Sequence, residues 1–291
     1  MLIRSFQLLL VLIIVFFSHQ DSVSHGAEEK GTSQAFEAIS PQKKAIKLFN
    51  GKNLDGLYTW LQNTKYKDPK EVFYVKDQIL HITGDGWGSI ITKERYRDYD
   101  MILEYKWGPR TWHERRNRAR DSGLFIHSTG IDGGVGGVWM PGIEVNIIEG
   151  GVGDFILVVG EGKDGQPVPL SLTSEVGRDR DGEVVWNKDG IAETFDLSNR
   201  TRINWCDRDP DWEDVLGFRG KNDRESPTDE WTRLEVVCRG GHIQVFVNGS
   251  LVNEAFDAVP AEGKLQLQAE LAEILVRRWE LLPLKNAVIE E

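Results

Sequence analysis

Cysteine is nearly absent from this chain: among its 291 residues there are two, Cys206 and Cys238. Two thiols cannot build a disulfide framework. In an oxidising compartment they could pair, and two packed unpaired thiols are an equally supported outcome. Cationic excess is absent too. The formal net charge is −11, with Lys and Arg dispersed along the chain, which argues against nucleic acid as a partner and favours a neutral or cationic ligand. Long apolar runs are confined to residues 8–17, too short to cross a bilayer comfortably. Helical periodicity is scarce. No His or Cys cluster has zinc spacing, and neither a GxSxG nor a Cys/His nucleophile arrangement occurs.

What is present begins with the order of a secretory signal: Arg4, the apolar run, then small and polar residues including Ser22, Ser24, Gly26 and Ala27. Residues 1–25 are therefore expected to be a signal peptide and 26–44 a flexible lead-in. A single domain is expected over 45–285, with a short tail at 286–291. On this reading the mature protein is secreted or periplasmic and free of the membrane.

The dominant period is two. In residues 101–107 (MILEYKW), Ile102, Glu104 and Lys106 oppose Leu103, Tyr105 and Trp107. In residues 123–128, Leu124 and Ile126 oppose Phe125 and His127. Two alternating runs, 234–239 and 242–248, are joined by Gly240-Gly241, a two-residue hairpin signal. Residues 265–270 (LQLQAE) and 274–282 (ILVRRWELL) read as a closing hairpin. Many short strands separated by Gly-, Asn- and Asp-rich turns predict an all-β sandwich. Residues 160–165 match GxGxxG, but Pro167 and Pro169 forbid the helix that a dinucleotide site needs, so this is a turn. Residues 207–211 (DRDPD) open like a calcium loop, yet Trp212 stands where the loop needs glycine.

Residues 142–149 (GIEVNIIE) put two carboxylates and an amide into a buried-looking strand. Burying a charge without a partner is costly. Strict alternation sends Ile143, Val145 and Ile147 to one side and Glu144, Asn146 and Ile148 to the other, leaving Glu149 on the apolar side. One β-bulge near Ile147-Ile148 would return Glu149 to the side of Glu144 and Asn146. With Glu104 and Lys106, Phe125 and His127, and Gln266, Gln268 and Glu270, these residues form polar faces that a curved sheet would gather. Amides, carboxylates and aromatic faces suit a hydroxyl-rich sugar or oligosaccharide ligand.

Taken together, several of these segments resemble the 3-keto-disaccharide hydrolase domain family. Residues 48–56 (LFNGKNLDG) are similar to its opening, 122–128 (SGLFIHS) to its SGIFLRS strand with His127 in place of arginine, and 142–149 to its GYEVQILD strand. Residues 217–220 (GFRG), 225–227 (ESP) and Glu230-Trp231 resemble a GFRG…E-P-x-GEW block. Residues 247–249 are similar to its turn, and 263–284 to its closing hairpin, where Leu271 takes a position often held by glycine. The resemblance covers about residues 46–284.

It implies a concanavalin A-like jelly roll, two antiparallel sheets with a concave ligand groove, and action on 3-keto-glycosides. There a base removes the C2 hydrogen, the enolate forms and the aglycone leaves. The candidates for catalysis are Glu144 or His127 as base, Glu149 beside them and Glu270 as acid. Glu104, Lys106, Asn146, Arg219 and Gln268 are the candidates for substrate binding, with Arg219 or Lys106 facing the enolate. No cofactor is firmly implied, and a divalent metal is left open. Two other readings stand: a non-catalytic lectin-like module, and a laminarinase-like β-glucanase. In the second, Glu144 and Glu149 would be the catalytic pair, with Asn146 where an aspartate is usual.

Overall fold

The computed structural model describes residues 37–285. The signal-peptide and tail expectations lie outside them. Of the expected lead-in, Ala38 is buried and Ile39 exchanges backbone hydrogen bonds with Arg95 and Arg97, so this part is tied to the body.

The described residues form two antiparallel sheets, a jelly-roll sandwich. The seven-stranded sheet has the order Arg202–Ile203, Phe155–Val158, Gly142–Ile148, Asp121–Ser128, Lys264–Glu270, Trp87–Thr92, Leu57–Leu61. The second sheet has eleven strands, with Thr232–Arg239, Tyr99–Thr111 and Ala272–Leu282 at its centre. Alternation explains the packing. Leu124, Ile126, Ile143, Val145, Ile147, Leu265 and Leu267 point inward from the first sheet. They meet Met101, Leu103, Tyr105, Trp107, Val236, Ile274 and Trp279 from the second. Each fully buried aliphatic side chain contributes roughly 1.5–3 kcal/mol.

The turn chemistry follows the residues. Arg239 lies opposite His242 across Gly240-Gly241, and Val247 opposite Ser250 across Asn248-Gly249. Glu161 bridges Pro167 around the GxGxxG segment, which is a turn with no helix after it. Cys206 and Cys238 are free thiols.

The expected closing hairpin does not form. Lys264–Glu270 belongs to the seven-stranded sheet and Ala272–Leu282 to the eleven-stranded one. Leu271, with φ +63°, is the corner between them. A left-handed residue turns the chain sharply enough to cross from one layer to the other. Gly84 packs so tightly on the far side of this corner that a Cβ there would stand 2.4 Å from the Ala272 carbonyl oxygen.

The bulge also lies elsewhere. Gly142–Ile148 pairs with Asp121–Ser128 in unbroken register from Ile143↔Ile126 to Ile148↔Asp121. The register shift falls between Asp121–Ser128 and Lys264–Glu270, where Ser128 lies opposite Lys264 but Phe125 opposite Gln266. His127, at φ +53°, sits within that shift.

Candidate functional site

The face of the seven-stranded sheet turned away from the core carries the polar cluster. Phe125 opposes Glu144, Gly123 opposes Asn146, and Asp121 opposes Ile148. On the other side Gln266 lies beside Phe125, and Ser89 and Trp87 lie opposite Gln268 and Glu270. Directly opposed residues share a face, so Glu144, Asn146, Asp121, Gln268, Glu270 and Trp87 all look outward together. Segments from residues 129–141 and 205–219 fold over the two ends of this face. Trp139 donates its indole N–H to the Gly88 carbonyl, and Trp212 donates to the Glu149 carbonyl.

Gly123 is what allows the centre to close. A Cβ there would stand 2.3 Å from Glu144 Oε1 and 2.4 Å from Gln268 Oε1. The two side chains therefore meet across the glycine, in space any other residue would fill. Asn146 Nδ2 donates to Glu144 Oε1 at 2.9 Å. Burial is nearly complete: Glu144 is 5% exposed, Asn146 3% and Gln268 1%. Burial, then the nearby charge of Asp121, pushes the Glu144 carboxyl up to about 8. Burial likewise raises Glu270 well above the ordinary carboxylate range, with Asp121 adding to it and Arg115 opposing it. Asp121 is raised by burial, again against Arg115.

Arg115 comes from the short 3₁₀ turn His113–Arg115. It bonds Asp121 and, at 3.3 Å, Glu270. A second cation in the cluster is Arg202, which lies opposite Ile156, itself opposite Glu144. It pairs at 3.0 Å with Asp154, which also holds Arg208 and accepts from the Trp205 N–H. Three buried acceptors in the cluster have no partner: Asp121 Oδ1, Asn146 Oδ1 and Gln268 Oε1. Such atoms are costly unless a donor reaches them. A hydroxyl-rich ligand satisfies them, and its oxygens also offer an acceptor to the buried Arg115 Nε, which has no partner either.

Of the residues expected from sequence, the fold brings Glu144, Asn146, Gln268 and Glu270 together. The others stand elsewhere. With no bulge to turn it back, Glu149 leaves the strand and is taken up by structure. Its carboxylate accepts from Arg120 Nη1 at 2.6 Å, from the Arg120 N–H and from the Gly217 N–H. His127 points between the sheets, its ring edge-on to Tyr99 at 6.0 Å and its Nδ1 2.9 Å from the Pro260 carbonyl. Burial lowers its pKa to about 4, so it is a neutral packed imidazole.

Glu104 lies on the outer face of the opposite sheet, paired with Arg277 at 2.7 Å and Arg278 at 3.2 Å. Lys106 is beside it, over the Trp231 ring. Period two found their strand but could not assign its layer. Arg219 binds the Ser226 and Glu225 carbonyls and pairs with Asp223, fastening its own loop.

Asp121, Gly123, Arg115 and Arg202 were missed. Extending the alternation back from Phe125 through Gly123 reaches Asp121, so a signal existed for it. Arg115 and Arg202 come from a turn and a two-residue edge strand, which have no periodicity. Among the described residues, no group of three or more His, Cys, Asp and Glu is arranged to hold a metal ion.

No curated protein matches the chain. Three solved structures illustrate what it is similar to. A putative glycosyl hydrolase from Parabacteroides distasonis ATCC 8503 is 15% identical, with 83% of this chain and 94% of that one covered at TM-score 0.46. The β-glucanase of Bacillus licheniformis is 13% identical, covering 82% and 98% at TM-score 0.40. The carbohydrate-binding module CBM66 from Bacillus subtilis is 12% identical, covering 84% and 98% at TM-score 0.38. The pattern of one family matches residues 44–281, and the chain belongs to it: the 3-keto-alpha-glucoside-1,2-lyase-like domains.

Proposed function

We propose that this chain is a carbohydrate-active enzyme that cleaves 3-oxidised glycosides by eliminating the aglycone across C1–C2. The observation that carries the reading is the buried acceptor cluster. Three unpartnered oxygens surround a carboxyl raised to about 8, beside a second carboxyl raised well above the usual range. Membership of the family is the support for a 3-oxidised glycoside as the substrate class.

A C3 ketone acidifies the C2 hydrogen. Ionised Glu144 takes that proton, and the C2–H electron pair moves toward C3 to give an enolate on the ketone oxygen. The pair then returns to form the C1–C2 double bond while the C1–O bond breaks toward the aglycone. Protonated Glu270 donates to the departing oxygen, and water adds afterwards. A carboxylate whose conjugate acid ionises near 8 is a stronger base than an exposed one. Positioned bases contribute roughly 10²–10⁴ in rate.

The cations beside the enolate are Arg115 and Arg202, in place of the Lys106 and Arg219 expected from sequence. Asn146 and Gln268 receive substrate hydroxyls. The same reading takes the protein as exported, on the order of residue types in 1–25.

The test is turnover of a 3-keto-β-glucoside beside its unoxidised parent, with Glu144→Gln as control. Release from the keto form alone, lost in the variant, supports the reading. Cleavage of the parent supports a glucanase, which the diversion of Glu149 to Arg120 disfavours, since a retaining pair needs both carboxyls at about 5–5.5 Å on one face. Sugar affinity without turnover supports a lectin.

A further inference from the structure

A cavity of about 210 Å³ lies at the Glu270 end of the carboxyl cluster. Its apolar walls are Leu61, Val72, Trp87 and Leu271, while Thr64 and Asp85 are among its polar residues. Three connections tie it to the cluster. Leu271 follows Glu270 directly. Trp87 is the residue opposed to Glu270 across the strand pair, and so shares its outward face. His113, another lining residue, belongs to the same 3₁₀ turn as Arg115, whose guanidinium bonds Glu270 and Asp121. The turn that carries Arg115 and the corner that follows Glu270 thus each supply a wall of the cavity.

Backbone strain collects at the same place. His113 and Leu271 both hold left-handed backbone, at φ +44° and +63°. Leu271 is the one aliphatic residue among the non-glycine positive-φ positions described. A left-handed aliphatic residue is strained, and such strain persists where surrounding structure enforces it, often at ligand sites. Glycine would make the same corner without strain. Leucine instead makes it with an apolar side chain that is 1% exposed and lines the cavity. The size fits as well. An engineered apolar cavity of about 150 Å³ binds benzene, so this volume has room for one substituted ring.

We infer that this cavity is the subsite for the leaving group, and that it takes a single ring with an apolar face, of the aryl class, stacked against Trp87. The inference rests on the proposed elimination at Glu144. It makes the enzyme selective by aglycone: the sugar is bound over Gly123, while the ring that departs is bound between Trp87 and Leu271.

The test uses Thr64→Trp, an exposed lining position outside the carboxyl cluster, which fills the mouth of the cavity. Phenyl and methyl 3-keto-β-glucosides are compared as substrates, and binding of free phenol is measured by calorimetry on both proteins. The inference predicts that KM for the phenyl glucoside rises roughly tenfold in the variant, as expected for loss of a buried apolar ring. The methyl glucoside should be unaffected, and phenol should bind only the unmodified protein. Leu271→Gly, which removes a wall and relieves strain, should raise the same KM with no loss of folding.

Equal kinetics for both substrates in Thr64→Trp, with turnover intact, overturn the subsite and leave the elimination standing. Phenol binding that Thr64→Trp abolishes, in a protein that turns over neither substrate, supports the cavity as an aryl site and contradicts the elimination. Absence of phenol binding to the unmodified protein overturns the subsite.

Discussion

Glu144 and Gln268 come from strands on either side of Asp121–Ser128 and meet over Gly123, with both Oε1 atoms inside 2.5 Å of the position a Cβ would take. The Gly123→Ala variant therefore has to push one of them aside. Overpacking of this kind costs about 1–3 kcal/mol. Turnover should fall by roughly 10²-fold or more, since a base displaced by an ångström loses its alignment. Denaturant unfolding and kcat/KM on a 3-keto-glucoside check both, and unchanged turnover would show that the pair does not act together.

The pH profile separates base from acid. Glu144 ionises near 8, and as the base it must be ionised, so kcat/KM should rise with pH and level off above about 8. A profile that falls through that range would make Glu144 the proton donor instead.

Stability runs in the opposite direction. Glu144 and Glu225 both have folded pKa values raised to about 8 by burial, well above the unfolded carboxyl. The folded state holds these protons longer, so stability is fully present below the unfolded pKa near 4.3 and is lost as pH rises toward 8. His127, lowered to about 4, acts at the other end, costing stability as pH falls from 6.5 to 4. Thermal unfolding should show Glu144→Gln gaining on the parent protein between pH 5 and 9, by on the order of 1–3 kcal/mol. Parallel curves would contradict the raised pKa.

Glu149 should behave as a structural residue. Removing its charge leaves buried Arg120 uncompensated, a loss of about 3–5 kcal/mol by comparison with other broken buried pairs. Glu149→Gln should lower the unfolding midpoint sharply while the folded fraction keeps the same pH profile of kcat/KM. A large loss of kcat per folded molecule would restore it to the chemistry.

Much of this was legible in the sequence, and the limits have physical causes. Alternation identified the outward face of Glu144, Asn146, Gln268 and Glu270 because period two is a property of the strand itself. It could not assign layers: Glu104 and Lys106 alternate as cleanly as Gln266 and Gln268, yet belong to the opposite sheet. The bulge expected at Ile147 is absent and Glu149 does not return to the face of Glu144; the register is broken at His127 instead, because pairing with Lys264–Glu270 decides it and no local pattern does. The supposed closing hairpin failed for a related reason. One left-handed leucine turns the chain between layers, where glycine was the residue to look for. Arg115 and Arg202 left no trace, since a guanidinium delivered by a turn or an edge strand has no period.

The central claim is that the C2 hydrogen is removed during cleavage, and reaction in D₂O tests it most directly. A 3-keto-glucoside carrying hydrogen at C2 is cleaved in D₂O, and the sugar product is read at C2 before spontaneous exchange, against an enzyme-free control. The account predicts either the C1–C2 unsaturated product or a hydrated sugar carrying deuterium at C2, with neither formed by Glu144→Gln. A cleaved sugar that keeps its original C2 hydrogen would contradict elimination and leave direct hydrolysis in its place.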